Sequence, residues 1–219
     1  MLDPKTALTE CETLMLDMDG TVLDLAYDNY MWLTRVPEEW AVRNGTTLHE
    51  ARERLQAKYG KVQGELYWYC LDHWSERLGL DVMQLHREHQ DRIVYLPRAR
   101  EFLDAVSRLD KKVLLVTNSH PDTLALKQQV TGLSEYFDAV HSAHSYGYAK
   151  EQQDFWHALR EEEHFDPATT MFVDDTETVL ASAETYGIGA CVTVICPDTS
   201  APPRSHASFA GVEGVADLL

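Results

Sequence analysis

The sequence predicts an α/β fold: a parallel sheet covered by helices on both sides, with an all-helical insertion after the first strand. Three observations predict it. Five short apolar runs read as strands buried on both faces. Helix-length patterns fill the three intervals between the last four of those runs. About ninety residues between the first two runs read mostly as helix and break the alternation, which is where an inserted segment belongs.

The first strand spans residues 13–17 (TLMLD) and stops at acids and Gly20, which permits a sharp turn. The insertion covers residues 27–92. Within it Thr47 and Glu50 (TLHE) have the form of a capping box, Gly79 can end a helix and Asp81 can start the next. Pro97 then suits the first turn of a helix returning to the sheet. The second strand, 112–117 (KVLLVT), leads to a helix over 121–131 closed by Gly132. The third, 138–141 (DAVH), leads to a helix over 151–164. The fourth, 170–173 (TMFV), leads to one over 176–186 closed by Gly187, and the fifth covers 190–195 (ACVTVI). Residues 197–205 (PDTSAPPRS) read as a linker-like surface loop. The core is therefore expected over residues 1–26 and 93–219.

Composition narrows the function. With 44% hydrophobic and 25% charged residues, 219 residues can bury a substantial core. Nineteen basic against 36 acidic side chains give a formal charge of -17, which opposes attraction to nucleic acid or anionic membranes. A small anionic substrate stays possible, because local donors and a bound cation can reverse the field inside one pocket. Cys11, Cys70, Cys191 and Cys196 lack the paired spacings of a structural zinc site and are too sparse for a disulfide scaffold. Buried free thiols are the expected state of the four cysteines, and with the absence of a secretion-type leader in MLDPKTALTECET and the lack of a membrane-length apolar run they point to the cytoplasm.

In an open parallel sheet the ligand crevice lies at the carboxyl ends of the strands. There the first strand gives Asp17, Met18, Asp19, Gly20 and Thr21 (DMDGT), the second Thr117, Asn118 and Ser119, and the fourth Asp174 and Asp175; Lys150 lies in the loop after the third. Any one of these acids could be a helix cap or a solvated turn. As a set, three or four carboxylates crowd a volume in which all cannot stay ionised without a cation. Oxygen donors favour a hard ion, and Mg2+ suits a site shared with substrate phosphate oxygens.

The ordered set resembles the four motifs of the haloacid dehalogenase superfamily of phosphohydrolases, matched by Asp17 to Thr21, Thr117, Lys150, and Asp174 with Asp175. The resemblance covers nearly the whole chain. It sharpens toward the bacterial GMP/IMP 5'-nucleotidase branch through LDMDGTVLDLAYDNYMW, WYCLDHWSERLGLD and TNSHP. It departs from the pattern where Glu151, rather than proline, follows Lys150. The resemblance implies a Rossmann-like core with a helical cap, and an enzyme that hydrolyses phosphate esters.

Carried onto this chain, it implies Asp17 as covalent nucleophile and Asp19 as acid/base partner. Thr117, Asn118 and Lys150 would bind the phosphoryl group. Mg2+ would be held by Asp17, the carbonyl of Asp19 and the pair Asp174 and Asp175, with Asp175 favoured as the direct ligand. A protonating Asp19 suits an oxygen leaving group and disfavours dehalogenation. A phosphomutase shares the acids.

The insertion is rich in aromatics: Tyr27, Tyr30, Trp32, Trp40, Tyr67, Trp68, Tyr69 and Trp74. Most are expected to pack helices together, while one or two could stack on a base. Asn29 and Trp32 are the substrate candidates, and Arg35 and Asp72 are polar alternatives whose ordinary reading is a solvated helix face. His86 with His89 and His141 with His144 share a spacing of three, but no third ligand accompanies either pair in sequence. His120 sits where it could touch phosphate or start the helix after it. Besides a purine nucleotide, the substrate could be a sugar phosphate or another small phosphorylated metabolite. A non-catalytic metabolite-binding protein on the same fold is the alternative from another class.

Overall fold

Alternate residues of the first strand face two separate apolar layers. Leu14 and Leu16 pack with Val113, Leu115, Met171 and Val173 on one side, and Met15 packs with Leu114, Val116 and Phe172 on the other. All four residues of this strand, β1 (Thr13–Leu16), are buried, as the unbroken apolar run requires. The structure, a computed structural model, describes residues 3–205 and 208–219. Residues 1, 2, 206 and 207 of the expected core lie outside the described residues.

The strands β2 (Lys112–Thr117), β3 (Ala139–Ser142), β4 (Thr170–Asp174) and β5 (Ala190–Val194) fall within a residue of their expected places. A sixth, β6 (Ala210–Val212), pairs at the edge. Among the described residues the pairings between these strands are all parallel, and the spatial order is β3-β2-β1-β4-β5-β6. β1 lies between β2 and β4, so the chain leaves β1 to one side and later returns to its other side. That reversal opens a crevice at the strand ends.

A short helix, α1 (Pro4–Glu10), precedes β1; Asp3 caps it and Pro4 opens it. Between β1 and β2 the described elements are all helical before the return to the sheet: α2 (Ala26–Tyr30), a π-helical turn (Met31–Arg35), α3 (Val36–Asn44), α4 (Leu48–Tyr59), a 3-10 turn (Leu66–Tyr69), α5 (Leu71–Leu78), α6 (Val82–Glu88) and a 3-10 turn (Gln90–Arg92). Thr47 and Glu50 form the reciprocal capping box, Gly79 ends α5 in the left-handed conformation and Asp81 caps α6. Pro97 does not open a helix. The next one, α7 (Ala99–Val106), starts two residues later, and Arg98 before it takes φ 61°.

The remaining helices, α8 (Pro121–Thr131), α9 (Gln153–Glu163) and α10 (Glu177–Tyr186), connect the later strands. Phe155, Trp156 and Leu159 of α9 and Val179, Leu180 and Ala183 of α10 fill the Met15 side of the sheet. All four cysteines are free, as expected, but only Cys11 is buried; Cys70, Cys191 and Cys196 are partly exposed, at the start of α5, on the β5 strand and just after it. Among the described residues no helix is long and apolar enough to cross a membrane.

Candidate active site

The backbone turns at once after β1. The amides of Val22 and Leu23 both donate to the Met18 carbonyl, at 2.9 and 2.8 Å, and the Gly20 amide donates to Leu23 O at 2.8 Å. Gly20 sits at φ +87°, and a β-carbon there would lie 2.7 Å from Asp175 Cγ. Both the turn and the approach of Asp175 therefore require glycine. The turn sends Asp17 and Asp19 toward the same end of the sheet that receives Asp174 and Asp175 from β4.

Asp17, Asp174 and Asp175 are all buried, and each offers an oxygen within 4.8 Å of the others. Lys150, 2% exposed, lies between them: its Nζ bonds to Asp17 Oδ1 and, at 2.7 Å, to Asp174 Oδ2. Arg204 Nη1 contacts Asp175 Oδ2 at 2.7 Å. Burial pushes the Asp17 carboxyl well above its usual range against the pull of Lys150, and Asp174, Asp175 and Asp19 push the same way. Asp175 is raised to about 6 by burial and by Asp174, opposed by Arg204. Burial disfavours charge on Lys150, yet Asp17 and Asp174 outweigh it and raise the group above the usual lysine value.

A second buried cation completes the site. Lys127 of α8 is 1% exposed, and its Nζ reaches Asp19 Oδ1 at 2.7 Å and both oxygens of Asp28 on α2 at 2.8 and 2.9 Å. Asp19 is raised to about 6, by burial first and Asp28 second, with Lys127 opposing. Five carboxylates (Asp17, Asp19, Asp28, Asp174 and Asp175) thus face three cationic side chains, leaving two formal negative charges among the described residues. The raised carboxyls express that deficit. An all-oxygen set with two uncompensated charges fits one hard divalent ion.

The second strand end serves the same spot. The Thr117 hydroxyl, in a residue 2% exposed, accepts the Ser119 amide at 3.0 Å, so its own proton is free to point at an anion. Asn118 does something the sequence did not suggest. Its Oδ1 accepts the Lys150 amide at 2.9 Å and its Nδ2 donates to Glu151 Oε2 at 3.0 Å, so its side chain is spent on holding the Lys150 loop. Glu151 also accepts the Tyr69 hydroxyl at 2.7 Å, tying the 3-10 turn of the insertion to this loop. Trp156 fixes it from below, donating to Lys150 O at 2.9 Å. His120 caps α8, accepting the Asp122 amide.

A cavity of about 420 Å³ opens above these groups and is lined by Asp17, Asp19, Thr117, Lys150 and residues of the helical insertion, Trp32 among them. Trp32 lies on the π-helical turn, a distortion frequent at functional sites. Asn29 also lines the cavity, but its Nδ2 donates to Asp198 Oδ2 at 2.6 Å. Arg35 is not in the wall and pairs with Glu39 at 2.8 Å. Tyr27, Trp40 and Trp74 are buried packing residues, as expected. The segment 197–205 is not a mere surface loop: Pro197 and Asp198 are buried, and Arg204 lines the cavity.

Lys127, Asp28 and Arg204 were invisible in the sequence. Lys127 falls inside the expected helix 121–131, Asp28 inside the expected insertion and Arg204 inside the linker-like segment 197–205, and none was singled out as a site residue.

A parallel sheet with acids of β1 and β4 converging on a buried lysine is the architecture of haloacid dehalogenase-like hydrolases, and the chain belongs to that family: its model matches residues 11–187. The protein is accordingly a hydrolase. It is 42% identical over 200 residues to the GMP/IMP nucleotidase YrfG of Escherichia coli (strain K12), covering 91% of this chain and 90% of that protein. The YrfG protein of Shigella flexneri matches to the same extent. Among solved structures, a HAD phosphatase from Thermococcus onnurineus superposes with a TM-score of 0.78 at 20% identity, covering 94% of this chain and 95% of that one. L-2-haloacid dehalogenase from Xanthobacter autotrophicus follows at 0.64 and 18%, covering 95% and 96%. These two likenesses concern the fold.

Proposed function

We propose that the protein is a Mg2+-dependent phosphatase of purine nucleoside 5'-monophosphates, with GMP and IMP as substrates, acting through an aspartyl phosphate on Asp17. The observation that carries the chemistry is the meeting of Asp17, Asp174 and Asp175 around Lys150 at the floor of the cavity. The nucleotide preference rests on the 42% identity to proteins named as GMP/IMP nucleotidases.

Asp17, Asp174, Asp175 and the backbone carbonyl of Asp19 would hold the ion. Bound there, Mg2+ supplies positive charge that offsets repulsion between a carboxylate and an anionic phosphate. A carboxylate oxygen of Asp17 attacks phosphorus in line with the ester oxygen; the new P–O bond forms as the old one breaks. Asp19 gives its proton to the leaving nucleoside oxygen. It then takes one from the water that attacks the aspartyl phosphate, and Asp17 and phosphate are released. A carboxyl titrating near 6 can serve in both directions. The Thr117 hydroxyl and Lys150 bind phosphoryl oxygens, and Lys127 holds Asp19 in place.

Residues 27–92 act as the cap that closes over the nucleoside, with Trp32 as a face for the base and Asn29 at its edge. The natural setting is the cytoplasm, where nucleotides and Mg2+ are both abundant. Phosphate release from GMP, IMP, AMP and a set of sugar phosphates, each with Mg2+ and with EDTA, tests the reading. GMP and IMP should exceed AMP at least tenfold, and EDTA should abolish release. Faster turnover of sugar phosphates would replace the nucleotide assignment, and no release from any ester would overturn the phosphatase reading.

A further inference from the structure

Cys70, His120 and His144 each present a ligand atom within 4.8 Å of the other two. None belongs to the acidic group around Asp17. Cys70 precedes α5 in the insertion, His120 precedes α8, and His144 lies in the 3-10 turn (Ala143–Ser145) after β3. The spacing of His141 and His144 hid this grouping, because the partners of His144 are distant in sequence.

The donors are ones a metal can use. His144 Nε2 is buried and has no hydrogen-bond partner among the described residues. The His120 and His144 rings meet edge to face with centroids 5.0 Å apart. His120 Nε2 lies 3.8 Å from Asp72 Oδ2, so an exposed carboxylate stands ready beside it. The Cys70 sulfur accepts the His73 amide at 3.5 Å, which fixes its position at the start of α5. Another group, His141 with Glu162 and Glu163, differs: His141 bonds to Glu163 and to the Tyr146 hydroxyl, both at 2.7 Å, Tyr146 reaches Glu162 at 2.6 Å, and Lys112 pairs with Glu163. Its donors are spent within the protein.

One sulfur, two imidazoles and a carboxylate select a borderline ion of the zinc class over magnesium. We propose that Cys70, His120 and His144, with Asp72 as fourth ligand, form a second cation site for zinc-class divalent ions, separate from the acidic cluster. Metal–ligand bonds of about 2.0–2.3 Å place tetrahedral ligand atoms about 3.5 Å apart, so the three groups need only draw together by roughly an ångström. Cys70 and Asp72 belong to the helical insertion, and His120 and His144 to the strand ends of the sheet. His120 also lines the cavity. An ion here pins the insertion to the sheet at the mouth of the cavity and slows turnover.

The test uses the full chain in saturating Mg2+, with Co2+ as an optical probe and Zn2+ binding followed by equilibrium dialysis. One equivalent of Co2+ should produce a thiolate-to-metal charge-transfer band that Zn2+ bleaches. Cys70→Ser should lose the band, and both Cys70→Ser and His144→Asn should bind Zn2+ at least tenfold more weakly. Cys70→Ser should keep its Mg2+-supported phosphate release and require at least tenfold more Zn2+ for inhibition. Absence of a thiolate band in the unsubstituted protein, or equal Zn2+ affinity in Cys70→Ser, overturns the site. The band and the dialysis read metal binding directly, so they stand or fall independently of the phosphatase reading.

Discussion

Lys127 Nζ lies 2.7 Å from Asp19 Oδ1 inside the protein, and the same ammonium holds both oxygens of Asp28. One buried charge thereby links the candidate acid/base to the first helix of the insertion. Lys127→Met should lower kcat about 100-fold or more, the range general acid/base catalysis supplies, with a smaller change in KM. Because Lys127 opposes the rise of Asp19 above its ordinary value, its removal should move the pH profile of kcat upward. Loss of an ion-pair partner also destabilises by about 3–5 kcal/mol, so the double variant with Asp28→Asn should recover stability but not rate. Steady-state kinetics and denaturant titration of the two variants check this.

Gly20 and Asp175 occupy space that a methyl group would need, since a β-carbon would lie 2.7 Å from Asp175 Cγ and 2.8 Å from its Oδ2. Gly20→Ala should displace Asp175 and strain a left-handed backbone. The expected outcome is at least a 100-fold loss of Mg2+-supported turnover with a raised Mg2+ requirement, measured by activity against Mg2+ concentration.

Trp32 is expected to stack on the base and to play no part at phosphorus. Trp32→Ala should raise KM for GMP and IMP about tenfold, within the ~1–3 kcal/mol of one stacking contact. Its kcat/KM for p-nitrophenyl phosphate should change less than threefold. Equal losses on both substrates would place Trp32 in packing alone.

His86 links acid stability to the packing of the insertion. Its Nδ1 meets the Tyr27 hydroxyl at 2.8 Å, its Nε2 is buried without a partner among the described residues, and burial lowers it from 6.5 to about 3, with Lys127 adding to the effect. Between those values the unfolded chain binds a proton that the folded one refuses. The stability contribution is present above about pH 6.5 and is lost as pH falls toward 3. On this ground alone, stability at pH 5 should be lower than at neutral pH by roughly 2 kcal/mol. Urea midpoints for the protein and for His86→Gln, which cannot titrate, should diverge in their pH slope over this window.

The parts of the molecule that were legible in the sequence are those in which one residue type has one physical use. Runs such as KVLLVT can hardly be anything but a strand buried on both faces, and β2 begins and ends where the run does. Asp17, Asp19, Asp174 and Asp175 stood out because carboxylates crowd the strand ends. The edge strand β6 has three residues, one of them glycine, and carries no apolar run to announce it. Lys127 lies in mid-helix, where lysine ordinarily means solvent; its ion pairs with Asp19 and with Asp28, both distant in sequence, hold it inside. Arg204 likewise gains meaning from a backbone path, fixed by Leu25 N donating to Pro197 O at 2.9 Å and by Thr199 bonding to Asp24. Asn118 was legible as a site residue, while its positioning of Lys150 was not, because that contact depends on where a distant loop folds back.

The most direct measurement is phosphate release from IMP and p-nitrophenyl phosphate by Asp17→Asn in saturating Mg2+, beside the unsubstituted protein quenched in acid during turnover. Release should fall about a thousandfold or more on both substrates. The quenched protein should carry phosphate on the peptide containing Asp17, and the variant should carry none. Undiminished release by Asp17→Asn would show that another group attacks phosphorus.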